Sequence, residues 1–192
     1  MRRTLLIIFL LTSLSACQTL NKDLISINGL TMGTSYSINI VSHEKKLDKS
    51  RIRKNIEKIL IDINQTMSTY IDDSELSLFN QSKFTGWQVL SEDLFHVIEH
   101  GNQISSISHG AFDMTIAPLV KEWGFGANIR SRAIPSNSVI QSIKQHTGYK
   151  KIKLDTMNQR ISKSDPIITI DLSGIAKGFA VDKIAQYLDE LD

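Results

Sequence analysis

One cysteine, three prolines and an aromatic share of 7% are what this 192-residue sequence has little of. A lone cysteine excludes an intrachain disulfide, so the fold must stand on hydrophobic burial alone. No repeat and no low-complexity tract is present, which sets aside solenoid and fibrous architectures. Neither sign of charge dominates, with 22 basic against 20 acidic residues. A nucleic-acid surface needs an excess of Lys and Arg to displace counterions, so a nucleic-acid partner is not expected. The longest apolar run, Leu5–Leu11, is much shorter than the roughly 20 residues that cross a bilayer.

What is there begins with that short run. Arg2 and Arg3 precede it, and Leu14-Ser15-Ala16-Cys17 follows. This is the layout of a signal peptide whose cleavage leaves Cys17 first in the mature chain. The reading is therefore a lipoprotein signal peptide over 1–16, a lipidated tether over 17–27 and a folded domain over 28–192. Gln18 is not the aspartate associated with inner-membrane retention. The expected location is the outer membrane of a Gram-negative bacterium, facing the periplasm.

Residues 18–28 read as a polar leash. Tyr36–Val41 alternates as a strand does. Ile52, Ile56, Ile59, Ile63 and Met67 line one helical face. A second helix starts at the N-cap Ser91, carries Leu94, Phe95, Ile98 and either Ile104 or Ile107, and stops near Gly110. A third follows Ser136 with Val139, Ile140 and Ile143, ending near Gly148. Residues 151–154 and 160–162 form a hairpin through Thr156-Met157-Asn158. Ile167–Leu172 is a β-branched strand, and a last helix from Gly174 buries Ile175, Phe179, Ile184, Leu188 and Leu191. Strands and helices mix without a βαβ rhythm, so the fold class is α+β.

Four segments could carry chemistry. Asp171-Leu-Ser-Gly-Ile-Ala-Lys-Gly178 is a strand–turn–helix whose helix N-terminus, glycines and Lys177 suit a phosphate; equally, the glycines serve packing. Tyr70, after the first helix, is either a surface aromatic or a platform for a flat heterocycle. Gly110–Val120 with Trp123-Gly-Phe-Gly126 is either a loop held over a pocket or a connector with Phe112 and Trp123 in the core. His96-Val-Ile-Glu-His100 matches a zinc metallopeptidase pattern, in which His96, Glu99 and His100 share a helical face. That reading needs a further ligand, for which Glu122 is the candidate, and competes with a solvated face.

Thr31-Met-Gly-Thr34, Ser68-Thr-Tyr70 with Asp73-Ser-Glu-Leu-Ser-Leu-Phe-Asn80, Gly110-Ala-Phe-Asp113 with Thr115-Ile-Ala-Pro118 and Trp123-Gly-Phe-Gly126, and Asp171–Asp182 together resemble the motifs of the ApbE family of FAD:protein FMN transferases, in its order. The resemblance covers residues 28–192. It implies an ApbE-like, T-fold-like arrangement of mixed sheets with packed helices. It implies transfer of FMN from FAD to a Thr or Ser hydroxyl of an acceptor protein, with AMP released and Mg²⁺ required. It implies FAD contacts at Met32, Tyr70, Ala111, Phe112, Asp113, Asp171 and Lys177, and a backbone-carbonyl metal ligand at Gly174. The family's acceptors include subunits of sodium-pumping NADH:quinone reductases and Rnf-type complexes. The family also continues past the position of Asp192, with a His-containing segment and an Asp/Thr motif that supplies side-chain metal ligands. The expectation is thus a chain incomplete at its C-terminus and inactive alone, with a non-catalytic FAD- or nucleotide-binding lipoprotein as the alternative. The catalytic group is left open.

Overall fold

A computed structural model describes residues 23–42, 47–125 and 134–191. The signal segment with Cys17, Gly126 of the third motif, and Asp192 lie outside the described residues. The described residues fall into two compact units, divided between Lys54 and Asn55.

In the first unit, β1 (Asp23–Thr31) and β2 (Thr34–Ser42) pair antiparallel from Asp23↔Ser42 to Thr31↔Thr34. The leash expected over 18–28 is corrected here, because β1 already runs from Asp23. Ile25 and Ile27 lie opposite Ile40 and Ile38, so cross-strand apolar pairs order a segment whose composition reads as linker. The hairpin closes on Met32 and Gly33, at φ 50° and 70°. Two positive φ values match the right-handed twist of paired strands. Gly29 is required for a different reason: its partner Tyr36 lays its ring across it, and a Cβ there would sit 2.6 Å from ring atoms.

The boundary between the units falls inside α1 (Lys49–Met67). Asp48 caps this helix, its carboxylate accepting from the Ser50 and Arg51 amides at 2.9 and 3.1 Å. Its buried residues are Ile52, Ile56, Leu60, Ile63 and Met67, while the expected Ile59 is half-buried. In the second unit, Ser74 is the fully buried N-cap of α2 (Glu75–Gln81). The strand β3 (Gln88–Val89) leads to α3 (Glu92–Ile107), which Ser91 caps as expected. Leu94, Phe95 and Ile98 are buried, Ile104 is half-buried and Ile107 is exposed. The helix ends through His109 and Gly110, both at positive φ.

The expected loop over 110–126 is in part helical: a 3-10 turn at Met114–Ile116 runs into α4 (Ala117–Glu122), with Trp123 its half-exposed C-cap. Next comes α5 (Asn137–Lys144), which stops before Gly148. The expected hairpin is present as β4 (Ile152–Asp155) and β5 (Arg160–Lys163), in a three-stranded sheet of order β3-β5-β4. Asp155 seals its turn by accepting from Arg160 Nε at 3.1 Å and Asn158 Nδ2 at 2.9 Å. Arg160 first, then Asn158, hold that carboxyl below its ordinary value.

Ile167–Leu172 is not a strand. Its side chains alternate as in one, with Ile168, Ile170 and Leu172 buried, but the run belongs to neither sheet. The last helix, α6 (Ala176–Asp189), starts two residues later than expected. It buries Ala176, Ala180 and Ile184, while Phe179, Leu188 and Leu191 are half-buried. Helix and sheet are mixed as the α+β reading requires. No helix among the described residues is long and apolar enough to cross a membrane.

Candidate functional site

The turn at Asp171–Gly174 is assembled from local chemistry. The Asp171 carboxylate accepts from the Ser173 amide at 2.7 Å, closing an Asx turn that reverses the chain ahead of α6. Ile175 and Ala176 both donate their amides to Leu172 O, at 2.9 and 2.8 Å. The α6 N-cap position, Ile175, provides no side-chain hydrogen bond. A helix start without a side-chain cap leaves N–H groups directed outward, with the positive end of the dipole behind them. Gly174 and Gly178 are exposed, and a Cβ at Gly178 would meet only open space. Lys177 reaches back to Ser173 O at 3.3 Å, which places its ammonium at the same turn.

Phe112 flanks that turn. A Cβ on Gly174 would lie 3.2 Å from Phe112 Cε2, so the ring packs where any side chain would intrude. The other end of the turn is tied down by the Asp171 amide, which donates to Met114 O at 2.8 Å. Segments 110–116 and 168–176 are thereby one structure. Ala111, exposed, donates its amide to Ser108 O at 3.1 Å.

Asp113 is committed more deeply than a ligand contact would need. Its Oδ1 accepts from the Thr115 amide and hydroxyl, at 2.8 and 2.6 Å, and its Oδ2 accepts from the Tyr149 amide at 3.0 Å. Thr115 Oγ1 in turn accepts from the Gly148 amide at 2.6 Å. The carboxylate is the N-cap of the 3-10 turn and the clasp between residues 113–115 and 148–149.

Tyr70 stands outside this hydrogen-bonded group. It is 65% exposed, on a loop fixed by Ser68 O, which accepts from Ser74 Oγ at 2.5 Å and Ser77 Oγ at 3.1 Å. Gln65 and Gln81 hold the backbone carbonyls of Asp73 and Asp72. A rigid loop with an outward ring suits stacking on a flat group. Met32 lies in the first unit, at the tip of its hairpin. Of the nominated residues, then, Phe112, Asp113, Asp171, Gly174 and Lys177 are brought together.

Three residues with no assigned role prove central. Gly101 on α3 has no room for a Cβ, which would meet Ile175 Cδ1 and Met114 Sδ at 3.1 Å each. Asn80 and the fully buried Lys163 bind the backbone of the run leading into Asp171. Burial pushes the Lys163 ammonium pKa down, with Lys83 adding to the shift and Asp165 opposing it. Asn80 and Thr115 stood within the family-like motifs, which was a usable signal. Lys163, a lysine closing a short strand, carried none.

The zinc reading is corrected. Among the described residues no three His, Cys, Asp or Glu side chains are placed to hold a metal ion. The His96 and His100 rings lie tilted to each other, with centroids 5.1 Å apart, on an exposed face. His96 and Glu99 line, with Phe95, Phe179 and Asp182, a cavity of about 430 Å³ that contains none of the residues nominated for FAD or magnesium. Lys183 in its wall is paired to Asp93 at 2.8 Å. The same survey bears on magnesium. The described residues supply the Gly174 carbonyl but no carboxylate set to complete an octahedron, so they do not by themselves make a Mg²⁺ site.

Comparison with known proteins bears on the family and the fold. The model of the ApbE family matches residues 32–192. A Haemophilus influenzae protein named FAD:protein FMN transferase is 39% identical over 94% of this chain and 53% of its own length. One of the same name from Vibrio cholerae is 32% identical over 98% of this chain and 55% of its own. Among solved structures, the flavin transferase ApbE from Vibrio cholerae superposes with a TM-score of 0.84 at 32% identity, covering 88% of this chain and 54% of that one. The apo flavinyl transferase ApbE of Pseudomonas stutzeri gives 0.82 at 29% identity, over the same shares of the two chains. The chain spans about half the length of the curated relatives it matches. With the family model covering most of its residues, the chain belongs to the ApbE family.

Proposed function

We propose that this chain is part of an enzyme that transfers FMN from FAD to a Thr or Ser hydroxyl of an acceptor protein, releasing AMP. The observation that carries the reading is the Asp171–Gly174 turn, where an uncapped helix start, Lys177 and side-chain-free glycines converge beside Phe112. Phosphate oxygens of FAD would take the α6 N–H groups and the Lys177 ammonium. Asp171 and Asp113 shape the backbone that presents those groups. Tyr70 offers its exposed ring to a flat part of the dinucleotide. Breaking the pyrophosphate builds charge on the leaving AMP, and a magnesium ion would neutralise it. Gly174 O is the one ligand proposed from this chain, with the others supplied from outside the described residues.

The proposed setting is periplasmic. Cys17 is lipidated and anchors the protein, in the outer membrane of a Gram-negative host; two or more acyl chains give stable anchoring. Acceptors are proposed to be subunits of sodium-pumping NADH:quinone reductases or Rnf-type complexes. The reading without turnover, an FAD-binding lipoprotein, is favoured for the 192-residue chain by the donor set, since the described residues bring together no carboxylate cluster for Mg²⁺.

One experiment tests both. The chain, and a version extended to the length of its relatives, are incubated with FAD, Mg²⁺ and an acceptor subunit, with AMP release and covalent flavin followed. The 192-residue chain is expected to bind FAD and transfer nothing, and the extended version to flavinylate. Tyr70→Ala should weaken FAD binding by roughly 0.5–1.5 kcal/mol with little change in stability. Failure of the extended protein to release AMP defeats the transferase reading.

A further inference from the structure

Backbone groups buried in a core are almost always paired, normally through a helix or a ladder. Ile168–Leu172 has neither, yet Ile168, Ile170 and Leu172 are all at most 1% exposed. The Ile168 amide turns back on Asp165 O, and further pairing comes from two side chains, one of them 90 residues away in sequence. Asn80, near the end of α2, uses its amide as a stand-in for a neighbouring strand: Oδ1 accepts from the Ile170 amide and Nδ2 donates to Ile170 O, both at 2.8 Å. Lys163 Nζ donates to Ile168 O at 3.2 Å and to Phe79 O at 3.3 Å, and lies 5.0 Å from the centroid of the Phe79 ring. The next link is the Asp171 amide on Met114 O. All of these bonds except the one to Phe79 O end within three residues of the Asx turn.

Lys163 is 1% exposed, and among the described residues no carboxylate is paired with its ammonium. A buried ammonium without a counter-ion is expensive, and an apolar residue of equal length would avoid the cost. Its geometry has a different value. One ammonium joins the end of α2 to the run at Ile168, while Asn80 fixes the position of Ile170 two residues on. Together they set where along its own axis the run stops, and hence where Asp171, Ser173 and Gly174 stand relative to the start of α6.

We propose that Asn80 and Lys163 are positioning residues for the nucleotide-phosphate turn, holding the Ile168–Asp171 backbone so that the Asp171–Gly174 turn is preformed. The proposal rests on the reading of that turn as the site for the FAD phosphates.

The test uses the 192-residue chain with two variants of conserved size. Asn80→Asp keeps an acceptor for the Ile170 amide but sets a carboxylate oxygen against Ile170 O. Lys163→Met keeps length and loses the charge and both bonds. FAD affinity by flavin fluorescence, melting temperature, and amide exchange at Ile170, Asp171 and Ser173 are measured, with Ile63→Val in α1 as a control that lowers stability elsewhere. Asn80→Asp should weaken FAD binding about tenfold, the loss expected when a buried hydrogen bond is removed and its partner stranded. Lys163→Met should weaken it about fivefold while its melting temperature holds or rises, because the buried charge is gone. Exchange at the three amides should rise roughly tenfold in both variants and not in the control. FAD affinities within about twofold of the parent in both variants, or an equal loss in the control, would overturn the proposal. A parent chain that binds no FAD defeats the flavin reading instead. In that case unchanged amide exchange in the variants refutes the clamp, and raised exchange upholds it. If Asn80→Asp does not fold, Lys163→Met decides alone.

Discussion

The two sides of α3 differ in kind. One carries His96, Glu99 and His100 at a spacing that metal sites use, and leaves both histidines exposed. The other carries Gly101 and Ser105, which titrate nothing, and is packed against Met114, Phe112 and Ile175. The chemically rich side gathers no third ligand. The bare side abuts the turn where backbone N–H groups, a lysine and a carboxylate meet. Side-chain chemistry shared along a helix is cheap to generate at random. Side chains packed tightly onto a glycine are not, and here they lie beside the candidate site.

The sharpest way to break this contrast is Asp113→Ala. It deletes two hydrogen bonds from Thr115 and one from Tyr149, and removes an N-cap. A loss of about 2–3 kcal/mol is expected in a denaturant titration. A loss below about 1 kcal/mol would show that the clasp is incidental.

Gly101→Ala probes the packed side directly. The added methyl must displace Ile175 Cδ1 and Met114 Sδ by a few tenths of an ångström. Overpacking of this kind costs about 1–3 kcal/mol, against up to about 1 kcal/mol gained from alanine's helix propensity. A net loss near 1 kcal/mol is expected, partly restored by Ile175→Val, which removes Cδ1. A double variant no better than Gly101→Ala would mean that Ile175 is not the obstacle.

A smaller effect is carried by pH. His146 Nδ1 lies 2.6 Å from Asp165 Oδ2, and this hydrogen bond is the main cause holding the Asp165 carboxyl below its ordinary value of 3.8. A carboxyl lowered in the folded state contributes stability that is present above pH 3.8 and lost as pH falls through the folded value. Asp165→Asn should lower stability above pH 5 and flatten the acid limb of the stability–pH curve, so that variant and parent converge at low pH; an unchanged acid limb would remove the pair from the account.

Least of all should happen on the exposed side. His96→Ala with His100→Ala is expected to alter stability by less than about 0.5 kcal/mol and to leave zinc content at background by elemental analysis. Stoichiometric zinc in the parent, lost in the double variant, would reverse the comparison.

The same contrast explains what the sequence made legible. Helix α3 was readable because Ser91, Leu94, Phe95 and Ile98 follow rules that act within a few residues. The β4–β5 hairpin was readable for the same reason. Asp23–Thr31 was not, since its polar start becomes a strand only by pairing with residues up to nineteen positions on, Asp23 with Ser42. Ile167–Leu172 misled in the opposite direction: its alternation is real, but the partner that satisfies it is one amide and one ammonium from elsewhere. At the site, the glycines and Lys177 were visible as a pattern. The hold on that pattern by Asn80 and Lys163 was not, because a single long-range contact leaves no periodicity.

That hold also has a place in time. Asn80 and Ile170 are 90 residues apart, so the two bonds between them close a long loop before they return anything. Closure entropy of this kind delays contacts until neighbouring structure has brought the ends together. Helices α1 to α3 need no such span for their own turns. The clamp is therefore expected to form after the folding barrier is crossed. Removing the Asn80 amide should then speed unfolding and leave the refolding rate nearly untouched, as stopped-flow kinetics would show.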